Sequence, residues 1–192
     1  MNKAQISKIY REFKVPQGLI NHMKAVSLVA EKIAINLNTD QKFIVQAALL
    51  HDVLRMVDMS DEVLQKLSEG DSKKYNFWLI LKKKYHKIGH ERGMSRYLNS
   101  INEKKLAKII KHHGFFDIDK LKTLEEKILY YADKRVDFDK IVTLKKRFAE
   151  GKKRNMRPTD NPQLIKSTEA KIFQLEKELG QNSKPNSKTM YL

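Results

Sequence analysis

Apolar residues recur at intervals of three and four along most of this chain, which is the spacing of an α-helix with one buried face. The clearest stripes are Val26, Val29 and Ile33; Ile44, Ala47 and Ala48; and Leu106, Ile109 and Ile110. No segment combines strict alternation of apolar and polar residues with the turn signals of a hairpin. The pattern therefore predicts an all-α fold.

Turn and capping residues divide the first half of the chain into separate helices. A first helix is predicted from Lys3 to Phe13 and ends before Val15-Pro16, because proline disfavours the helical conformation of the preceding residue. A helix after a Thr39 or Asp40 cap is expected to include His51. Further helices are expected after Gly18 and from Ser60 to about Gly70, with a less regular segment around Trp78.

The second half of the chain carries clear boundary signals. One helix is expected over 89–99 and another over 102–113. Gly114 follows the second of these helices directly. Because glycine readily adopts a left-handed conformation, we expect Gly114 to be the C-terminal cap that closes the helix.

Two further helix starts are visible near the C-terminus. Thr123 and Glu126 have the spacing of a capping box. The helix that they begin is expected to pass through Asp133 and to continue to about Glu150. Asn161-Pro162 combines an N-cap with proline at the first helical position, which predicts one more amphipathic helix.

The predicted organisation is a single-domain helical bundle with short flanking segments. The last helix is expected to end at Gly180. The residues after it are polar and contain Pro185, so we expect them to be disordered. The predicted parts are an N-terminal helix at 1–17, a core at 18–150, a C-terminal helix at 151–180 and a disordered tail at 181–192.

Composition narrows the class of protein. Of the 192 residues, 41% are hydrophobic and 32% are charged, which is typical of a globular domain. There is no cysteine, so disulfides and thiolate metal sites are excluded. The apolar stretches are far shorter than the ~20 residues that span a bilayer, and the N-terminus lacks the apolar segment of a secretory signal. We therefore expect a cytoplasmic protein that does not contact membrane.

The net charge of +16 favours an anionic ligand. A strongly positive field raises the local concentration of polyanions, among them phosphorylated metabolites and nucleic acids. The lysines are spread through the chain, however, and a lysine-rich solvated surface is the simpler explanation for them. The charge alone does not choose between these ligands.

Four of the six histidines lie on apolar helix faces. They are His22, His51, His90 and His113. His112, by contrast, lies on the stripe of Lys105 and Lys108 and is expected to face water, and His86 lies in a lysine-rich stretch. A histidine on an apolar face is more often a hydrogen-bonded core residue than a metal ligand. The histidines by themselves therefore do not indicate a metal site.

Two aspartates add to the indication of a metal site. Asp52 and Asp133 follow apolar helix faces, where an unpaired carboxylate is costly to bury. An inward aspartate often caps a helix or pairs with a basic residue. Inward histidines and carboxylates from five helices nevertheless converge at the centre of a bundle, and a divalent metal suits such a mixed ligand set.

The order of these residues resembles the H…HD…D signature of the HD-domain metal-dependent phosphohydrolase superfamily. His22, His51-Asp52 and Asp133 occupy the signature positions within HMKAVSLVAEKIA, AALLHDVLR and ILYYADKRV. The resemblance covers residues 18–140. It implies a helical fold in which these four residues hold a first divalent metal.

The resemblance also implies a second metal. Subfamilies with two more histidines between the pair and the last aspartate bind two ions, and His90 and His113 match those positions. His112 is the alternative to His113. In such sites the aspartate of the pair bridges both metals, which would be the role of Asp52.

Departures from the family pattern limit the choice of substrate. Val53-Leu54 stands where one large subgroup has Ile-Gly, and Gly114-Phe115-Phe116 follows the histidines in place of the motif of cyclic-dinucleotide phosphodiesterases. The second of these differences argues against cyclic-di-GMP as the substrate. The chain is too short for the large guanosine-tetraphosphate enzymes. It resembles small bacterial HD proteins, including the diadenosine-tetraphosphate hydrolases, although the tract after Asp133 differs.

The resemblance implies hydrolysis of a phosphate ester or anhydride of a nucleotide-like substrate. Mixed nitrogen and oxygen ligands suit Fe, Mn, Zn, Co or Ni, and two such ions activate water for attack on phosphorus. Asp52 and Arg55 are the expected catalytic residues, with Arg55 on a phosphate oxygen. Lys134 is a second candidate for that contact. An ordinary surface or ion-pair role is the alternative for both residues. Asp58 is a candidate outer base or ligand-orienting group.

Two other functions are compatible with parts of this pattern. A non-catalytic HD-fold protein would bind nucleic acid or another polyanion through the basic surface, but its lysine clusters lack interleaved aromatics that stack on bases. A helical di-iron oxygenase would need Glu-x-x-His pairs on inward faces, which the sequence lacks. The sequence does not indicate the oligomeric state.

Overall fold

The apolar stripes of the first half form helices close to the predicted positions. The computed structural model describes residues 1–155 and 161–180. Its first two helices, α1 and α2, span Lys3–Glu12 and Gln17–Asn36. α2 begins slightly before the predicted start at Gly18 because Pro16 is its N-cap. The proline ring limits φ, and the missing N–H is not needed at a helix start.

Side-chain caps start α3 and α4, as predicted. α3 spans Gln41–Ala48 and α4 spans Asp61–Ser68. The Asp40 carboxylate accepts a hydrogen bond of 3.0 Å from a first-turn amide, so Asp40 rather than Thr39 caps α3. The Ser60 hydroxyl accepts the corresponding bond in α4.

The region around Trp78 forms a full helix, α5, over Ser72–Tyr85. The Asp71 side chain caps its first turn. Trp78 is fully buried, and its indole N–H donates to the carbonyl of Phe13 at 3.2 Å. This contact joins α5 to the end of α1, a pairing that local periodicity does not encode.

The next three helices, α6, α7 and α8, span Gly89–Ser100, Lys104–Ile110 and Leu124–Lys134. Short 3₁₀ helices cover Arg55–Asp58 and Phe115–Lys120. The prediction of a helix reaching His113 is wrong, because α7 ends at Ile110 and the His113 ring bonds to that carbonyl at 2.6 Å. Gly114 is not a left-handed cap, since its φ is −61°.

The predicted continuation of α8 to Glu150 is also wrong. An antiparallel hairpin follows instead, with β1 at Val136–Asp137 and β2 at Lys140–Ile141. Phe138 turns the chain between them with a φ of +56°. Strands of two residues are too short to produce visible alternation in a sequence. Helix α9 then spans Leu144–Asn155.

The last helix, α10, spans Pro162–Glu178 and is capped by Asn161, as predicted. It packs on α8 through polar side chains. The Tyr131 hydroxyl donates to Glu176 at 2.8 Å, and Arg135 donates to that hydroxyl at 2.6 Å. All three side chains are buried, so their polar groups need these hydrogen-bond partners.

One hydrophobic core unites these elements. α3 and α8 contact each other and also α2 and α7, and buried residues of α1 and α10 join the same core. The prediction of a single-domain all-α fold is confirmed, with the hairpin as the exception. The predicted tail at 181–192 lies outside the described residues, and the boundaries at 17 and 150 stay predictions. No helix within 1–155 or 161–180 is long and apolar enough to cross a membrane.

Candidate metal centre

The six residues proposed as metal ligands lie together in the interior. They are His22 from α2, His51 and Asp52 from the turns after α3, His90 from the start of α6, His113 from the turn after α7 and Asp133 from the last turn of α8. All six are buried. Their segments are far apart in sequence, and the packing of the bundle brings them together.

The His-Asp pair lies beyond its helix rather than on it, which corrects the sequence prediction. α3 ends at Ala48, and residues 49–54 form tight turns. The His51 ring bonds through Nδ1 to the carbonyl of Ala48 at 2.7 Å. This bond satisfies a backbone acceptor that the helix end leaves open. The turn places the His51 ring and the Asp52 carboxylate beside the other candidate ligands.

The two carboxylate oxygens of Asp52 face different sets of imidazoles. Oδ2 lies 3.8 Å from Nε2 of both His22 and His51. Oδ1 lies 3.0 Å from Nε2 of His90 and 3.3 Å from Nε2 of His113. One carboxylate thus stands between two groups of donor atoms, as a bridging ligand would.

The first group consists of His22, His51 and Asp133. Asp133 Oδ1 lies 3.1 Å from Nε2 of His22 and 3.6 Å from Nε2 of His51. These ligand atoms lie within 4.8 Å of one another. The second group is built around His90 and His113, whose Nε2 atoms are 3.1 Å apart. His113 also lies within 4.8 Å of ligand atoms of His51 and Asp52.

Backbone and carboxylate acceptors hold the outer nitrogen of every imidazole. Nδ1 of His22 lies 2.6 Å from the carbonyl oxygen of Phe138. In the second group, Nδ1 of His113 bonds to the carbonyl of Ile110, and Nδ1 of His90 bonds to the carboxylate of Asp58. Such bonds fix the proton on Nδ1 and leave the Nε2 lone pair free for a cation. The imidazoles are therefore arranged as ligands.

Among the described residues, the inner nitrogens either face carboxylate oxygens and other imidazoles, which are acceptors, or have no partner. His51 Nε2 is buried and has no hydrogen-bond partner among the residues that the structure describes. Nε2 of His90 and Nε2 of His113 face each other as two acceptors when both protons are on Nδ1. An unpaired buried acceptor is unfavourable. A cation satisfies all these lone pairs, so the residues present fit a divalent metal.

The carboxylates in the centre are held ionised. Burial by itself raises the pKa of Asp52, but the nearby imidazoles, chiefly those of His51 and His90, hold that pKa well below its usual value. Burial also raises the pKa of Asp133, but Lys134 and the neighbouring histidines have the larger effect and hold that pKa well below its usual value. Burial lowers the pKa of His90, whereas Asp52 raises it to about 9. A bound cation would therefore replace the second proton that Asp52 favours on His90.

Glu91 is a further carboxylate beside the candidate ligands, which the sequence analysis missed. Its ligand atom lies within 4.8 Å of those of His90 and His113. Two glycines leave room for it: a Cβ at Gly114 would lie 2.8 Å from Glu91 Oε1, and one at Gly89 would lie 2.7 Å from Oε2. In the sequence, Glu91 resembles any acidic residue in the first turn of a helix.

The basic candidates lie at the edge of the centre in different environments. Arg55 is exposed, and its guanidinium lies 3.3 Å from the His90 ring. Lys134 is buried, and its ammonium donates to Asp133 at 2.6 Å and to the carbonyl of His113 at 2.8 Å. Both side chains line the cleft, but the Lys134 ammonium is occupied by two oxygen acceptors, whereas the Arg55 guanidinium contacts only the His90 ring among the hydrogen bonds of the described residues.

The remaining histidines lie apart from the candidate ligands. His112 is half-buried rather than solvent-exposed as expected, and its Nδ1 lies 4.0 Å from Asp117. The metal-binding groups formed by the described residues contain His113 and not His112. His86 is exposed.

A cleft of about 870 Å³ opens onto the centre. His22, Asp52, His90, His113 and Asp133 line its inner part. Its walls come from the hairpin, α9 and the second 3₁₀ helix, and they carry both aromatic and basic side chains. Such a volume suits a ligand the size of a nucleotide.

Comparison with known proteins adds one finding. A family model described as HD domain matches residues 19–136, which is more than half of the chain. The matched span contains all six candidate ligands. No curated protein matches the sequence.

Proposed function

This chain belongs to the HD-domain superfamily, and we propose that it is a metal-dependent phosphohydrolase. Its substrate, in this proposal, is a phosphate ester or anhydride of a nucleotide-like molecule. The observation that carries the proposal is the division of the Asp52 carboxylate, with Oδ2 toward one pair of imidazoles and Oδ1 toward another. A structural aspartate needs no such arrangement.

Each of two divalent ions has its own ligands in this proposal. His22, His51 and Asp133 would hold the first ion and His90 and His113 the second, with Asp52 shared between them. The mixed nitrogen and oxygen donors suit Fe, Mn, Zn, Co or Ni. When bound, the ions supply an activated water and neutralise charge on the phosphoryl oxygens.

The protein's own side chains bind and orient the substrate. Arg55 is an exposed residue whose guanidinium lies against the His90 ring and lines the cleft, so it can donate charge-assisted hydrogen bonds to a phosphate oxygen. Lys134 holds Asp133 in position, since its ammonium is already bonded to that carboxylate. Asp58 orients the His90 ring through Nδ1. Arg55 is thus the phosphate-binding residue, and the other two are positioning residues.

Metal analysis and a substrate panel test the proposal together. Protein loaded with Mn²⁺ is expected to hold about two ions per chain and to hydrolyse at least one of a set of nucleotides, dinucleoside polyphosphates and phosphodiesters. Asp52→Asn removes the bridging charge and is expected to abolish turnover and to reduce the metal content. Elemental analysis and phosphate release measure the two effects.

The matched control is Asp119→Asn, which makes the same chemical change at an exposed carboxylate paired with Lys171. It is expected to behave like the wild type. Unchanged turnover in Asp52→Asn would contradict the proposal. A folded, metal-loaded protein that hydrolyses nothing in the panel but binds nucleic acid with a steep salt dependence would instead support the non-catalytic alternative.

A further inference from the structure

We propose that Phe138, at the tip of the hairpin, is a stacking platform for the base of a nucleoside phosphate whose phosphate groups reach the metal centre. The inference rests on the proposed function and deepens it, because it assigns the substrate's aromatic part to a place in the cleft. Phe138, Arg147 and Arg154 all line that cleft. Neither their positions in the sequence nor the family match assigns them a role.

The conformation of Phe138 is unusual for its residue type. Its φ is +56°, a left-handed value that is strained for an aromatic residue. Its side chain gains little from burial, because 70% of the residue is exposed. Neither backbone preference nor hydrophobic burial therefore accounts for a phenylalanine here. Strained residues of this kind are concentrated at ligand-binding sites.

The backbone of Phe138 is attached directly to the metal centre. Its carbonyl accepts a hydrogen bond from Nδ1 of His22 at 2.6 Å, and His22 Nε2 lies 3.1 Å from Asp133. The ring is therefore held at a set place relative to the candidate metal ligands. A base stacked on it would bring its phosphate groups to the inner part of the cleft.

Two arginines complete the platform. The Arg154 guanidinium lies 4.8 Å from the centroid of the Phe138 ring. Its Nη2 donates a hydrogen bond of 2.5 Å to Oδ1 of Asp137. This cation–π contact occupies part of the ring, and most of the residue stays exposed. Arg147 lies farther from Asp137, at 3.8 Å, and its Nε has no hydrogen-bond partner in the described part of the chain. The Arg147 guanidinium is therefore paired less closely than that of Arg154, and it lines the cleft where a phosphate would enter.

The combination of groups selects a nucleoside phosphate over a simple phosphate ester. An aromatic ring backed by a guanidinium stacks on a base, whereas a sugar phosphate or glycerol phosphate has no π-face to offer. A second exposed ring, Phe116, lines the same cleft and is 53% exposed. Basic side chains and aromatics are thus interleaved in space although they are not interleaved along the sequence.

Comparison of two ligands tests the inference. Equilibrium binding of AMP and of inorganic phosphate is measured with the Mn²⁺-loaded protein, for the wild type and for Phe138→Ala. The variant is expected to lose about tenfold more affinity for AMP than for phosphate, since loss of one base–aromatic stack has an effect of this size. Phe138→Trp is expected to retain the preference for AMP, because it keeps an aromatic face.

Ile80→Ala is the control, since it removes an equally exposed apolar side chain from α5, outside the cleft. It is expected to leave both affinities as in the wild type. Metal content, measured on each variant, verifies that the centre is intact. An equal loss of affinity for AMP and phosphate in Phe138→Ala, or no loss for AMP, would overturn the inference. Neither outcome affects the proposed hydrolase, which depends on Asp52 and on turnover by the wild type.

Discussion

At the scale of single residues, the centre depends on side chains that are absent as well as on those that are present. Glu91 occupies space that a Cβ at Gly114 or Gly89 would fill. At Gly114 the reason for glycine is this close approach and not the backbone, because its φ of −61° is accessible to any residue. Gly114 therefore controls the position of a carboxylate that lies beside His90 and His113.

Gly114→Ala tests this relation. The new Cβ would lie 2.8 Å from Glu91 Oε1 and 3.1 Å from Asp117 Oδ2, so both carboxylates must move. Because the ends of side chains move easily, we expect a stability change of no more than about 1 kcal/mol. We expect about a tenfold loss of Mn²⁺ affinity, the size of effect that outer-shell changes have. Urea denaturation and metal titration measure the two quantities.

A double variant decides whether the effect passes through Glu91. If it does, Gly114→Ala causes little further loss of metal affinity in a Glu91→Ala background. An equal loss in both backgrounds would show that Gly114 acts by another route, for example through Asp117.

At the scale of elements, most of the candidate ligands lie at or beyond helix ends. His51 and His113 follow α3 and α7, His90 opens α6, and Asp133 is in the last turn of α8. Helix ends leave backbone carbonyls without intrahelical partners. Two of these carbonyls, of Ala48 and Ile110, accept bonds from imidazoles of the centre. The ends of the helices thus orient the rings.

The capping box of α8 provides a test at this scale. Thr123 accepts a hydrogen bond from the Glu126 amide at 3.3 Å, and the buried Glu126 carboxylate accepts one from the Thr123 amide at 2.9 Å. We expect Thr123→Ala to lower the free energy of unfolding by about 1 kcal/mol, measured by urea denaturation. Thr123→Ser keeps the hydroxyl and is expected to retain most of the stability that the cap contributes. Equal losses in both variants would assign the effect to the methyl group's packing instead.

At the scale of the whole molecule, the candidate ligands come from segments that span His22 to Asp133. Cations bound by these ligands would join α2, α6 and α8 with the turns after α3 and α7. Since the unfolded chain does not hold these atoms together, bound metal stabilises the folded state. The centre is therefore expected to contribute to folding as well as to catalysis.

Metal removal tests that expectation. Chelation with EDTA is expected to lower the Tm of the wild type by about 5 °C. A shift of this size corresponds to removal of a ligand whose free concentration is well above its Kd. Added Mn²⁺ is expected to restore it. Asp52→Asn is expected to show a smaller metal-dependent change, because its bridging carboxylate is lost. A wild-type Tm that is identical with and without metal would contradict the prediction.

Much of the centre follows from the chain itself. Helical periodicity separates the four inward histidines from His86, and the spacing of His22, His51-Asp52 and Asp133 carries the family resemblance. Caps such as Ser60, Thr123 and Asn161 locate helix starts correctly. These features are local, because a residue's face and its cap depend on neighbours within a few positions.

Only the folded structure reveals the rest. It divides the two oxygens of Asp52 between separate imidazole pairs, adds Glu91 beside Gly114, and places Phe138 on a hairpin too short to leave a periodic signal. Each of these facts is a distance between segments that lie far apart along the chain. Such distances depend on how helices pack and where they end, and local patterns encode only which face of each helix is buried.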